Sequence, residues 1–121
     1  MSVTVRITKN FKTAVKPLLK KYPSLRSDLL KLEKELVRNP KQGVSLGHNA
    51  YKVRLKISSK GKGKSGGARV ISLVETVIVG EIKTIEEEST VNLITIYDKA
   101  DTANISDKEL KDLVKAFYQE E

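Results

Sequence analysis

The stretch Tyr51–Ile71, YKVRLKISSKGKGKSGGARVI, sets the reading of the whole chain. Two runs that alternate apolar with basic residues flank a glycine-rich tip. Successive side chains of a strand point to opposite faces. Lys52, Arg54 and Lys56 are therefore expected on one face, with Val53, Leu55 and Ile57 on the other. Ala68-Arg69-Val70-Ile71 returns with Arg69 as its only charge. Between Lys41 and Val74 stand eight Lys or Arg and no Asp or Glu, while the rest of the chain sets 15 basic against 15 acidic residues. The net charge of +8 thus belongs to one segment, which reads as a β-hairpin with a cationic face.

Working outward, 121 residues suit one domain spanning 1–121, long enough to bury a core without covalent staples. The chain has no cysteine, so neither a disulfide framework nor a thiolate metal site is expected. No apolar run approaches the ~20 residues that cross a bilayer, and the polar start lacks the apolar core of a signal peptide. A cytoplasmic location without membrane association is the expectation. The basic excess points to a polyanionic partner: nucleic acid, an acidic protein or anionic lipid.

Before the hairpin, Ser2–Thr8 alternates Val3, Val5 and Ile7 with polar residues and reads as a strand. Asn10 is placed to cap a helix carrying Phe11, Ala14, Val15, Leu18, Leu19 and Tyr22 on one stripe. Pro17 either kinks that helix or marks its first turn. After Pro23-Ser24 a second helix runs to about Arg38, with Leu25, Leu29, Leu32 and Leu36 on one side. Lys41–Ala50 reads as mostly loop, with His48 as a polar turn residue.

Beyond the hairpin, Val70–Val79 continues as a strand. The acidic EIKTIEEEST that follows Gly80 is either a lengthened connection or an irregular strand. Val91–Tyr97, VNLITIY, is apolar enough for a strand buried on both faces. Ser106 and Glu109 form a capping box for a last helix through about Phe117. The order β-α-α-β-β-β-α makes the fold class α+β: a small, mainly antiparallel sheet carrying a helical hairpin and a C-terminal helix.

A single histidine and no cysteine argue against a metal site or a nucleophilic triad, and no cofactor is expected. Gly61-Lys62-Gly63-Lys64-Ser65 is not a nucleotide loop, because Ser58 stands where that motif wants a glycine. The tip also joins two strands instead of opening a helix. Lys60, Lys62 and Lys64 are phosphate contacts on one reading and a plain flexible tip on the other. Lys52, Arg54, Lys56 and Arg69, with Lys99 at the end of the last strand, can converge on one surface. Crowded like charges lower each other's proton affinity, so such a cluster can supply both a base and phosphate-binding cations. That would suffice for RNA cleavage by the 2′-hydroxyl without a metal. It would equally suit a passive RNA-binding surface.

YKVRL, GKGKSGGARVI, LITIYDKAD and ISDKELKDL, in that order, resemble the RelE/HigB-type toxins of bacterial toxin–antitoxin systems. The likeness spans nearly the whole chain. It implies a RelE-like fold and an mRNA interferase acting on the ribosome, with a cognate antitoxin as partner. By that resemblance Lys52 or Arg54 would activate the 2′-hydroxyl or bind phosphate. Arg69 would stabilise the transition state, and Lys99 would assist the leaving oxygen. Ile105 stands where the best-studied members carry a tyrosine; Tyr97 is close by in sequence, as a substitute or as core. A gyrase-directed toxin of the related ParE group, or a degenerate toxin that only binds RNA or its partner, is the alternative.

Overall fold

The computed structural model describes residues 2–61, 63–102 and 104–120. In chain order the elements are β1 (Ser2–Ile7), α1 (Lys9–Lys21), α2 (Leu25–Arg38), β2 (Val44–Gly47), β3 (Ala50–Leu55), β4 (Ala68–Val79), β5 (Glu86–Asp98) and α3 (Asp107–Glu120). The strands form one sheet ordered β1-β5-β4-β3-β2. β1 runs parallel to β5, and every other neighbouring pair is antiparallel. The α+β class, the helical hairpin after the first strand and the closing helix all follow the expected order.

One strand was not expected. Val44–Gly47 pairs with β3 through a hairpin whose turn residues, His48 and Asn49, have φ of 54° and 62°. Two successive positive φ values give the tight turn whose twist matches the flanking strands. A four-residue strand is too short for alternation to register, so the sequence showed only its glycines.

The helices form where their apolar stripes predict. Thr8, not Asn10, caps α1: its Oγ accepts the Phe11 N–H at 3.2 Å, while the Asn10 amide donates to the Ile94 carbonyl at 2.7 Å. Pro17 sits inside α1, which continues through Lys21. Phe11, Val15, Leu18, Leu25, Leu32 and Leu36 pack against Val53, Leu55, Ile57, Val70, Val74 and Val91 of the sheet and its loops. On the opposite face Ala50, Ile71, Leu73 and Ile94 receive Leu110 and Phe117 of α3. Each such side chain stabilises by roughly 1.5–3 kcal/mol on burial. Half of the predicted capping box is present: the Glu109 N–H donates to Ser106 Oγ at 3.1 Å, but the Glu109 carboxylate accepts from the Ser106 hydroxyl, also at 3.1 Å, instead of from its backbone N–H.

A register shift explains why β5 is apolar on both faces. Ile71 opposes Thr95 and Ser72 opposes Leu93, leaving Ile94 as the extra residue of a bulge. Leu93 and Ile96 then join the core under α1 and α2, while Ile94 and Tyr97 join the one under α3. No described helix is long and apolar enough to cross a membrane.

Candidate functional site

The register places Arg54 of β3 opposite Arg69 of β4, and Arg69 opposite Tyr97 of β5. One step along, Lys52 opposes Ile71 and Ile71 opposes Thr95. Ala68 and Val70 belong to the core under α1 and α2, so Arg69 between them points the other way, toward the α3 side. Lys52, Arg54, Arg69 and Tyr97 thus share one face, which the alternation predicted for Lys52 and Arg54.

Two arginines directly opposite each other repel. Arg69 relieves this by turning into the tip. Its guanidinium donates to the carbonyls of Lys64, Ala68 and Ser65, each at 3.1 Å, and the residue is only 6% exposed. Three of the five N–H donors of a guanidinium are thereby used, and among the described residues Nε–H and one on Nη2 make no further hydrogen bond. Arg54 is exposed. Lys52 is half-buried, and its Nζ donates to Asn104 Oδ1 at 3.1 Å, which ties the segment before α3 to β3.

The tip is closed by contacts that composition does not reveal. A Cβ on Gly67 would lie 2.0 Å from the Leu55 carbonyl oxygen, so only glycine fits there. The Gly67 carbonyl accepts the Lys99 N–H at 3.1 Å, docking Lys99 against the tip. At the other shoulder Asp28 accepts from the Ser58 N–H at 2.9 Å, from Ser58 Oγ at 2.7 Å and from Ser24 Oγ at 2.7 Å. Burial opposes the Asp28 charge, but those hydrogen bonds outweigh it and hold its pKa below the usual carboxylate value.

Lys60 corrects the sequence reading. It was expected among the phosphate contacts, yet its Nζ lies 2.6 Å from Asp98 Oδ1 and 5.6 Å from the centre of the Tyr22 ring. Its side chain is 11% exposed and that of Asp98 is fully buried; the Tyr22 hydroxyl donates to the second carboxylate oxygen. Burial raises the pKa of Asp98, but the hydrogen bonds from Lys60 and Tyr22 prevail and bring it to about 2. The same hydrogen bond, donated by Lys60 to Asp98, outweighs the cost of burial and raises the pKa of Lys60. This pair is structural, and it lies on the α1 side of the sheet.

The remaining lysines divide. Lys56 follows the end of β3 and, with Arg54, Lys64, Asp28 and Glu35, lines a cleft between α2 and the β3 edge. Lys64 is exposed, 4.0 Å from Glu35. Lys62 lies outside the described residues. Tyr97 is partly exposed, but its hydroxyl is buried, and among the described residues it has the Ile105 backbone nearby without good hydrogen-bond geometry. Burial is the main influence on that phenol and raises its pKa, so it keeps its proton. It faces a groove between α1 and α3 that Asn10, Ile105 and Glu109 also line.

Sequence reasoning missed Asp98, Tyr22 and Asn104. Asp98 left one signal, a carboxylate placed directly after a strand apolar on both faces. Among the described residues no three His, Cys, Asp or Glu side chains are grouped to hold a metal ion. Compared with known proteins, the chain matches no family model, no curated protein and no solved structure.

Proposed function

We propose that this chain is a RelE/HigB-type toxin, an endoribonuclease that cuts messenger RNA on the ribosome and is neutralised by a cognate antitoxin. The observation that carries this reading is the row Arg54–Arg69–Tyr97 across three strands, with Lys52 one step away on the same face. In the reaction the 2′-oxygen forms a bond to the adjacent phosphorus and the bond to the 5′ oxygen breaks. One proton leaves the 2′-hydroxyl and one reaches the departing 5′ oxygen. Exposed Arg54 and the two remaining donors of Arg69 are suited to the phosphate oxygens, where charge develops. Lys52 stands beside them to serve the 2′-hydroxyl. Lys99 is suited to the leaving oxygen, and Tyr97, a phenol that keeps its proton, joins it only if the segment covering its buried hydroxyl moves aside.

The test is sequencing of RNA ends after brief induction, with and without the antitoxin. Fragments ending in 2′,3′-cyclic phosphate are expected. Arg54→Ala and Lys52→Ala should each lower cleavage by about 10²-fold while leaving the urea midpoint unchanged. Toxicity that survives both substitutions, or DNA supercoiling that fails before translation, sinks the nuclease reading.

One observation favours a second reading, RNA binding without cleavage. Arg69 is committed to the tip carbonyls, and Ile105 offers no hydroxyl. Under it, RNA would bind with strong salt dependence and no new ends would appear.

A further inference from the structure

β4 outruns its neighbour. β3 pairs with it only along Ala68–Leu73, and beyond Val74 nothing among the described residues pairs with its outer edge. The sequence there is Thr76-Val77-Ile78-Val79. Proteins blunt such edges with lysine, proline or a bulge, and this one carries none of them. Val77 and Ile78 are 55% and 63% exposed, and Ile82 and Ile85, in and just past the turn, are 89% and 59% exposed.

The direction of the free groups follows from one bond. The Val74 N–H donates outward to the Asn49 carbonyl at 2.9 Å. Backbone groups alternate sides along a strand, so Thr76 and Ile78 also present N–H and C=O to the open edge.

We propose that two copies of this chain join through this edge, β4 against β4, antiparallel, about a two-fold axis through Val77. An axis normal to the sheet keeps each face on its own side, so opposed residues must have the same parity. Centred on Val77, the register sets Val77 against Val77, Thr76 against Ile78 and Glu75 against Val79. Thr76 and Ile78 then exchange both of their outward hydrogen bonds, twice by symmetry. Centring on Ile78 instead would set Thr76 against Gly80, where the chain turns away at φ 100°, and would leave the outward groups of Thr76 unpaired.

Asn49 already holds Val74, and Gly80, at φ 100°, turns the chain away after Val79, so the ladder ends without collision. The second β4 fills the column that β3 leaves vacant. Glu86, Glu87 and Glu88 lie one strand inward on β5. Across the pair they stand roughly 14 Å apart, three strand spacings, beyond the ~8–10 Å screening length. That acidic cluster disfavours a polyanion as occupant. A two-fold contact closes on itself at two copies. The short ladder falls below the ~1,200 Å² typical of permanent interfaces, so the dimer depends on concentration.

The chain has no cysteine, so single cysteines report cleanly. Residue 77 would oppose itself in a non-hydrogen-bonded pair, with Cα atoms about 4.5 Å apart, inside the ~4.4–6.8 Å disulfide range. Residue 78 would meet its own copy only diagonally, at ~7–8 Å. Under mild oxidation, Val77→Cys is expected to cross-link at least ~10-fold faster than Ile78→Cys. Sedimentation of the wild type should show a monomer–dimer equilibrium, and Ile78→Lys should shift it to monomer. Equal cross-linking, a wild type still monomeric near ~1 mM, or a dimer indifferent to Ile78→Lys would overturn the proposal and leave the edge to a strand of another protein.

Discussion

At one end the β4–β5 pair is enclosed. α1 and α2 lie on one face, α3 on the other, and the tip closes over Arg69 and the Lys60–Asp98 pair. At the other end the same two strands run on as a bare ribbon with exposed Val77, Ile78 and Ile82 and the acids Glu86–Glu88. At the enclosed end cations are spent on structure as well as surface, because low-dielectric surroundings make each charge seek a fixed partner. On the ribbon, charges stay solvated and backbone groups stay unpaired. A charged residue therefore means different things at the two ends: position inside the layers decides whether a lysine is a ligand-binding group or an internal tie.

The largest effect that would break this contrast is at Asp98. Asp98→Ala leaves Lys60 without its counter-charge and is expected to cost about 3–5 kcal/mol, read from urea unfolding. A loss under about 1 kcal/mol would mean that the enclosed end is held by packing alone. The pH dependence has a definite sign. The folded pKa of about 2 lies below the usual 3.8, so the stabilisation is complete above about pH 4. It is lost as pH falls towards 2, and amounts to something on the order of 2 kcal/mol. Asp28, also lowered, acts in the same direction. Asp98→Asn should flatten the acid limb of the stability curve.

A smaller effect is expected at Arg69. Arg69→Ala releases the Lys64 and Ser65 carbonyls and should cost about 1–3 kcal/mol, with faster amide exchange across residues 63–67. Arg69→Lys should not restore protection, since an ammonium cannot span three carbonyls as a planar fork does. Full rescue by lysine would make the contact one of charge, not of shape. The smallest effect belongs to the ribbon tip. Ile82→Lys should alter monomer stability by no more than about 0.5 kcal/mol, and a larger loss would show that the tip is not the free end its exposure indicates.

How much could be read in advance depended on range. The helical stripes of α1 and α2, the Ser106 cap on the Glu109 N–H and the alternation of Lys52, Arg54 and their apolar neighbours are local patterns, and all are found in the structure. The failures involve partners far apart in sequence. Asn10 lost the cap to Thr8 because its amide found the Ile94 carbonyl, 84 positions away. Lys60 left the surface because Asp98, 38 positions away, is buried beneath it. The acidic excursion divides between its two expected readings: Glu81–Ile85 forms the connection, and from Glu86 onward the chain pairs with β4.

Which residues prefer helix or strand, which face of the hairpin is cationic and where the positive charge is concentrated follow from composition and periodicity, which are properties of the chain alone. Which of those cations are used up follows from the fold. Whether Arg69 meets carbonyls or Lys60 meets a carboxylate depends on which distant groups the sheet register brings within 3 Å, and no local pattern encodes that distance.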